Sequence, residues 1–230
     1  MHVLTEEETK MANVNIANIR APKAPNLPIP TVNYSQTYFE VLTNVLRLYF
    51  NELDKFSATL ATPDIGYYLN APYGGFSDST TQHIAVINTP YAITFNTTDI
   101  QDGPRFTGGQ PDILINPLAT SQIIIGFPGV YNFQFSLQLT STNASTKTVW
   151  IWPRLNGTDV PNSATKISMS GTNNNYVAAW NFVLETSTEG EYFELMWAAN
   201  STNVDMTASA ATAFCPAIPS VILTVTYASS

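Results

Sequence analysis

The sequence predicts a mainly β protein, a β-sandwich or jelly roll, preceded by an extended N-terminal arm and a short helix. Three patterns support this prediction. Four prolines fall within residues 21–31, apolar residues recur with helical spacing from Phe39 to Leu60, and apolar and polar residues alternate beyond Pro63. The predicted parts are the arm (1–32), the helix (33–62) and the β domain (63–230).

The arm is expected to be extended because of its prolines. Proline fixes φ and has no N–H, so residues 21–31 favour a polyproline-like path that does not pair with itself. Such a path leaves backbone groups available to a partner and reduces the entropy lost on docking. Residues 12–32 are therefore predicted to anchor the chain to another protein, and a passive spacer is the alternative. The predicted anchoring side chains are Ile16, Ile19, Leu27 and Ile29.

The segment after the prolines predicts a helix with a coiled-coil pattern. Asn33 or Ser35 can cap its start, and Pro63 is expected to end it. Its apolar residues are spaced alternately by three and four, as in an a/d seam, which we expect to form a three-stranded stalk. The alternative is an amphipathic helix packed on its own domain, because no charged e/g pairs specify a partner. The seam consists of Phe39, Leu42, Leu46, Tyr49, Leu53, Phe56 and Leu60.

Alternation with a period of two dominates the rest of the chain. The clearest example is at Phe133, Phe135, Leu137 and Leu139, which are separated by single polar residues, as in a half-buried strand. Seven or more such short runs, without helical intervals, predict a sandwich or jelly roll. Turn signals separate the runs at residues 101–104, 128–129, 156–157, 171–175 and 189–190.

The composition restricts the classes of partner. The net charge is −8, and the 9 Lys and Arg residues are scattered, so we do not expect nucleic-acid binding. Charged residues make up only 11% of the chain, compared with about 25% in ordinary soluble domains. Interface cores are depleted in charge, so this composition suits a chain packed against its neighbours.

Membrane insertion and export are not expected. The longest apolar stretch, near Ile123 to Tyr131, is interrupted by Gly126 and is too short to cross a bilayer. Residues 1–20 lack the basic start and apolar run of an export signal. Met11 is an alternative first residue of the chain.

Four segments of the β region, in this order, resemble the jelly-roll heads of phage virion proteins, which are similar to the complement and tumour necrosis factor group. They are GVYNFQFSLQL (129–139), VWIWPRLNGTDVPNSATKI (149–167), VAAWNFVLETSTEGEYFELMW (177–197) and CPAIPSVILTVTY (215–227). Three further segments resemble structural proteins of marine and cyanobacterial phages. These are NVLRLYFNELD (44–54), APYGGFSDSTTQ (71–82) and YAITFNTTD (91–99).

The resemblance covers residues 30–230 and implies a jelly-roll head that forms a homotrimer through its strand faces. It implies a structural component of a phage particle, assembled in the host cytoplasm and located in the virion. Such a component is a fibre, knob or decoration protein, with virion proteins of the tail, neck or capsid as partners. A host-receptor adhesin tip that binds surface glycan is the alternative.

No enzymatic activity, cofactor or metal is expected. His83 is the only histidine outside the N-terminal segment, and a catalytic triad or zinc site needs several converging groups. Asp99 and Asp102 lie in a loop with too few ligands for an EF-hand calcium site.

The aromatic residues raise a separate question, because exposed tryptophans can stack on sugars. The alternating strand positions of Trp150, Trp152, Trp180 and Trp197 favour a place in the core or an interface. The better candidates for surface recognition are then the predicted loop residues Tyr73, Phe76 and Tyr176.

Overall fold

A computed structural model describes residues 22–30, 32–60, 71–106 and 110–229 of the chain. The chain divides into two compact units, Met1–Asn70 and Ala71–Ser230. In the first unit, residues 22–30 form neither helix nor strand, and one helix follows. The described part of the second unit contains only β-strands as regular structure.

Helix α1 (Gln36–Leu60) confirms the predicted helix, and Ser35 is its N-cap. The backbone N–H of Tyr38 donates to Ser35 Oγ at 3.3 Å, which satisfies one of the donors that a helix start leaves unpaired. Five of the seven seam residues, from Leu42 to Phe56, are half-buried. Phe39 is exposed, and the side chain of Leu60 lies outside the described residues. The role of the seam in a trimer stays a prediction.

The predicted anchors lie only partly within the described residues. Leu27 and Ile29 are exposed, and Ile29 is 88% accessible. Ile16 and Ile19 lie outside the described residues. The docking role of the arm therefore also stays a prediction.

The second unit is built from sixteen described strands. In chain order they are β1 (Tyr73–Asp78), β2 (Gln82–His83), β3 (Tyr91–Ala92), β4 (Thr97–Gln101), β5 (Pro104–Phe106), β6 (Gln110–Pro111), β7 (Ile113–Ile115), β8 (Ile123–Ile125), β9 (Gly129–Ser141), β10 (Lys147–Leu155), β11 (Thr158–Asp159), β12 (Thr165–Met169), β13 (Asn174–Thr186), β14 (Glu191–Ala199), β15 (Val204–Met206) and β16 (Val221–Ser229).

Fourteen of these strands form two antiparallel sheets. The first sheet has the order β13–β9–β16–β1–β4, and β15 with β2 extends it beside the end of β9. In the second sheet β10 pairs with β11 and β12 on one side and with β14 on the other, and β14 continues to β3, β8 and β7. The remaining strands, β5 and β6, pair with each other.

Successive long strands cross between the sheets rather than pairing within one. Strands β9 and β13 lie in the first sheet, whereas β10, β12 and β14 lie in the second. Each long strand consequently pairs with partners distant in sequence: β9 pairs with β16 through Phe135 and Leu223. This double Greek-key connection makes the head a jelly roll and confirms the predicted mainly β fold.

The core lies between the two sheets. The inward row of β9, from Tyr131 to Leu139, is almost completely buried, which confirms the predicted alternation. Phe133 of the first sheet stacks on Phe193 of the second, with ring centroids 4.2 Å apart. Burying a large apolar side chain completely contributes about 1.5–3 kcal/mol, so this row is a main source of stability.

The predicted turn at residues 156–157 is the two-residue connection of a hairpin. Asn156 and Gly157 connect β10 to β11, and both have positive φ, 49° and 74°. A two-residue turn of this kind matches the twist of the flanking strands, and it places β11 beside the end of β10. The hairpin thereby positions Asp159 next to the tryptophans of β10.

Candidate functional site

A cleft of about 640 Å³ opens on the outer face of the second sheet, between Trp150 and Trp152 on one side and the segment 159–164 on the other. We call it the indole cleft. Strand β10 alternates, so Val149 and Ile151 enter the core and the two indoles face outward. Both indoles remain partly accessible. Of the two places predicted for these tryptophans, the core is therefore wrong, and an interface stays a prediction.

The floor of the indole cleft is the neighbouring strand β14. Ala198 lies opposite Trp150 in the antiparallel register, and Met196 lies opposite Trp152. The small side chain of Ala198 leaves room beside the first indole. Asn88 and Pro90 form a second wall, which is attached to β14 because Asn88 N–H donates to the carbonyl of Ala199 at 2.8 Å.

The opposite wall, segment 159–164, is held by a hydrogen bond to β10 and by one within the segment. Val160 N–H donates to the carbonyl of Pro153 at 3.1 Å, and Ser163 Oγ donates to the carbonyl of Val160 at 2.7 Å. Asn162 has a left-handed backbone with φ of 59°, which asparagine tolerates better than most residues. The cleft is therefore shaped before any ligand binds.

One carboxylate determines the electrostatics of the cleft. Asp159 Oδ1 accepts hydrogen bonds from Trp152 Nε1 and from Arg154 Nε, each at 2.8 Å. The bond from Arg154, followed by the bond from Trp152, lowers the pKa of Asp159 below its ordinary value of 3.8. Among the described residues of the lining, Asp159 is the only ionisable one, and Arg154 balances its charge. The cleft is thus close to neutral.

The outer face of the first sheet is a different kind of surface. Strands β13, β9 and β16 present outward residues without charge, apart from Glu185 at one end. Asn181 Nδ2 donates to Asn132 Oδ1 across β13 and β9 at 2.8 Å. We call this surface the uncharged face. Its central members are Asn132, Gln134, Ser136 and Gln138 on β9, Val177, Ala179, Asn181 and Val183 on β13, and Ile222, Thr224 and Thr226 on β16.

Strand β13 lies at the edge of this sheet and carries apolar side chains on both of its sides. Among the described strands it pairs only with β9. Val177 and Val183 are exposed on its outer side, at 63% and 60%. On its inner side Trp180 and Phe182 are half-buried. Trp180 packs edge-on against Phe135, with ring centroids 4.6 Å apart. Long apolar edge strands are usually covered, because they readily pair with other chains.

The loop aromatics chosen from the sequence are mostly structural. Phe76 is completely buried in β1, so its predicted surface role is wrong. Tyr176 lies on β13, half-buried, and its hydroxyl donates to the carbonyl of Ser170 at 2.8 Å. Tyr73 is 40% exposed and remains a surface aromatic. Trp197 is buried, as predicted.

Sequence reasoning missed one pair of ionisable residues. Strands β2 and β15 bring His83 Nδ1 to 2.8 Å from Asp205 Oδ1, although the residues are far apart in sequence. The imidazole side chain is 66% exposed. Within the described ranges no three His, Cys, Asp or Glu side chains are grouped so that they could hold a metal ion. None of the described helices is long and apolar enough to span a membrane.

Comparisons with known proteins found similarity only to solved structures. The sequence matches no known family and no curated protein. Similar structures include two crystal structures of murine APRIL, at pH 8.0 and pH 5.0, with 8% and 9% identity and TM-scores of 0.43 and 0.39. Each covers 68% of this chain and 98% of the APRIL chain. The fold assignment rests on the strand pairing described above.

Proposed function

We propose that this chain is a non-enzymatic structural protein of a phage particle. In this proposal it is a homotrimeric fibre, knob or decoration protein, attached to the tail, neck or capsid by its N-terminal arm. The sequence resemblance over residues 30–230 supports the assignment to a phage particle. The observation that carries the self-association is the edge strand β13, which has apolar side chains on both sides and exposes Val177 and Val183 as part of the uncharged face.

The two surfaces fit a ring of copies. In an edge-to-face contact, two different surfaces of neighbouring copies meet, which makes the contact head-to-tail. Head-to-tail contacts close into rings when the rotation between copies permits it. The β13 edge of one copy would cover the uncharged face of the next. Val177 and Val183 of the covered copy would then be buried without desolvating a charge. Charge depletion of this kind is characteristic of interface cores.

Sedimentation of the full chain at micromolar concentration tests this proposal, with a trimer as the expected result. Val177→Lys with Val183→Lys places two ammonium groups in the contact and should increase the monomer fraction. The control, Thr165→Lys with Ser168→Lys, adds the same charges to exposed positions of β12 on the second sheet. A monomeric wild type would refute the trimer, and an unchanged trimer in the β13 variant would remove this surface from the interface.

The proposal that the protein is not an enzyme is tested separately. His83 and Asp205 are a histidine–carboxylate pair, but the imidazole is largely in solvent. We expect no cleavage of polysaccharide or peptidoglycan by the purified protein, and normal assembly of His83→Ala and Asp102→Ala. Hydrolysis by the wild type that either substitution abolishes would show an enzyme instead.

A second candidate function is that of an adhesin tip that binds host glycan. The indole cleft favours it, because two partly accessible indoles lie side by side on the outer face of the second sheet. A glycan array probed with the full-length protein tests it. Saturable, salt-resistant binding to a defined group of glycans is expected, and a blank array would rule this function out.

A further inference from the structure

We infer that the indole cleft is a binding site for an uncharged oligosaccharide of two or three sugar rings. This inference rests on the second candidate function and names its site and its ligand class. It depends on the stacking surface, the polar groups, the charge and the rigidity of the cleft.

The stacking surface consists of two indoles on one strand face. Trp150 and Trp152 are two residues apart on β10, so their attachment points are separated by roughly 6–7 Å along the strand. A pyranose ring has an apolar C–H face that packs on the negative face of an aromatic ring. Two adjacent indoles therefore suit adjacent rings of one saccharide better than a single isolated group.

Polar groups surround the indoles without closing the cleft. Asn88 and Asn162 contribute amides, and Ser163 contributes a hydroxyl. Amides and hydroxyls both donate and accept hydrogen bonds, which matches the mixed character of sugar hydroxyls. A volume of about 640 Å³ lies within the usual range of small-ligand sites, about 300–1,000 Å³.

The charge of the cleft selects against acidic sugars. The described part of the lining supplies one carboxylate, Asp159, and no cation. Arg154 already donates to that carboxylate, so its guanidinium is engaged. An anionic saccharide would meet the Asp159 carboxylate without a compensating partner, whereas a neutral saccharide incurs no such repulsion.

The site is organised in advance, which reduces the cost of binding. The hydrogen bond to Asp159 fixes the orientation of the Trp152 indole. The bonds from Asn88 to Ala199 and from Val160 to Pro153 hold the two walls in place. Because the cleft and the uncharged face belong to different sheets, self-association would leave the cleft accessible.

Titration of the full-length protein by saturation-transfer NMR and tryptophan fluorescence tests the inference. The neutral probes are maltotriose, cellotriose and chitotriose, and the anionic probe is sialyllactose. We expect at least one neutral probe to bind saturably and sialyllactose to bind more weakly. Trp150→Ala should weaken binding by about tenfold or more, the loss expected for a central contact.

Two further variants keep the test decisive. Ala198→Phe fills the floor of the cleft while retaining both indoles, and it should abolish binding. Tyr73→Ala removes an exposed aromatic from the first sheet and should leave the affinity unchanged. Circular dichroism and sedimentation of each variant identify any that misfold.

The possible failures are distinguishable. If the array shows glycan binding that survives Trp150→Ala and Ala198→Phe, the adhesin function stands and the assignment of the cleft is wrong. If neither the array nor the probes show binding by a folded trimer, both are wrong and the structural proposal is unaffected. If a peptide of residues 22–30 binds the cleft and no saccharide does, the inference is overturned, because proline-rich segments also dock on aromatic grooves.

Discussion

Trp152 and Asp159 are joined by a hydrogen bond of 2.8 Å from the indole Nε1 to the carboxylate Oδ1, and Arg154 Nε donates to the same oxygen. One carboxylate oxygen thereby holds an indole and a guanidinium in place. The side chain of Asp159 is 54% exposed, so the arrangement contributes more to the geometry of the cleft than to the stability of the fold.

The first prediction concerns the pH dependence of this arrangement. The two donors lower the pKa of Asp159 below 3.8. A carboxyl group with a lowered pKa in the folded protein stabilises the fold. This stabilisation is fully present above the pKa of the group in the unfolded chain and is lost as the pH falls through its pKa in the folded protein. The Trp152 indole N–H resonance should therefore be constant from pH 8 to about pH 5 and shift only below about pH 4. In Asp159→Asn the shift should vanish, and a midpoint above 3.8 in the wild type would contradict the hydrogen-bond geometry.

The second prediction concerns Lys147, whose side chain is almost completely buried. Its ammonium donates to Ser141 Oγ at 2.8 Å and to the carbonyls of Asn143 and Ser145 at 2.7 Å each, closing the turn between β9 and β10. Lys147→Met keeps the volume but removes the donors, so it should lower the free energy of unfolding by about 2 kcal/mol in urea denaturation.

The control for Lys147→Met is Lys166→Met, at an exposed position on β12. It should change the free energy of unfolding by no more than about 0.5 kcal/mol. Both variants are compared at one protein concentration, because the stability of an oligomer depends on concentration. Equal effects of the two substitutions would show that the buried ammonium contributes nothing specific.

The third prediction concerns the seam of α1. Leu46→Asp with Leu53→Asp should disrupt a coiled-coil stalk, because a buried unpaired carboxylate costs several kcal/mol. The sedimenting mass at low concentration should fall, and helicity by circular dichroism should decrease. Asn44→Asp with Asn51→Asp adds the same charges, also seven residues apart, at exposed positions of the helix and should change neither. Identical behaviour of the two double variants would favour a helix that packs elsewhere.

The fourth prediction concerns the arm. A chain that begins at Thr31 lacks all four predicted anchors, Ile16, Ile19, Leu27 and Ile29. It should fold and remain trimeric, yet fail to join particles in an assembly reaction followed by electron microscopy. Normal incorporation of the shortened chain would make the arm a passive spacer and move the attachment site to the helix or the head.

Sequence alone determined the elements whose signals are local. Ser35, one of the two predicted caps, caps α1 because its hydroxyl accepts a hydrogen bond from the backbone N–H three residues later. The inward row of β9 followed from strict alternation, since a period of two allows one face to be buried. The Asn156-Gly157 turn followed from the tolerance of these residues for positive φ.

Only the tertiary structure decided which face of a strand became a site. On β10, Val149 and Trp150 are both apolar, and the choice of Val149 for the core depends on pairing with β12 and β14. Phe76 is buried because β1 lies between β16 and β4, which no local pattern specifies. The indole cleft exists because antiparallel register places the small Ala198 beside Trp150 and a hairpin brings Asp159 to Trp152. These are relations between strands distant in the chain, and sequence periodicity contains no information about them.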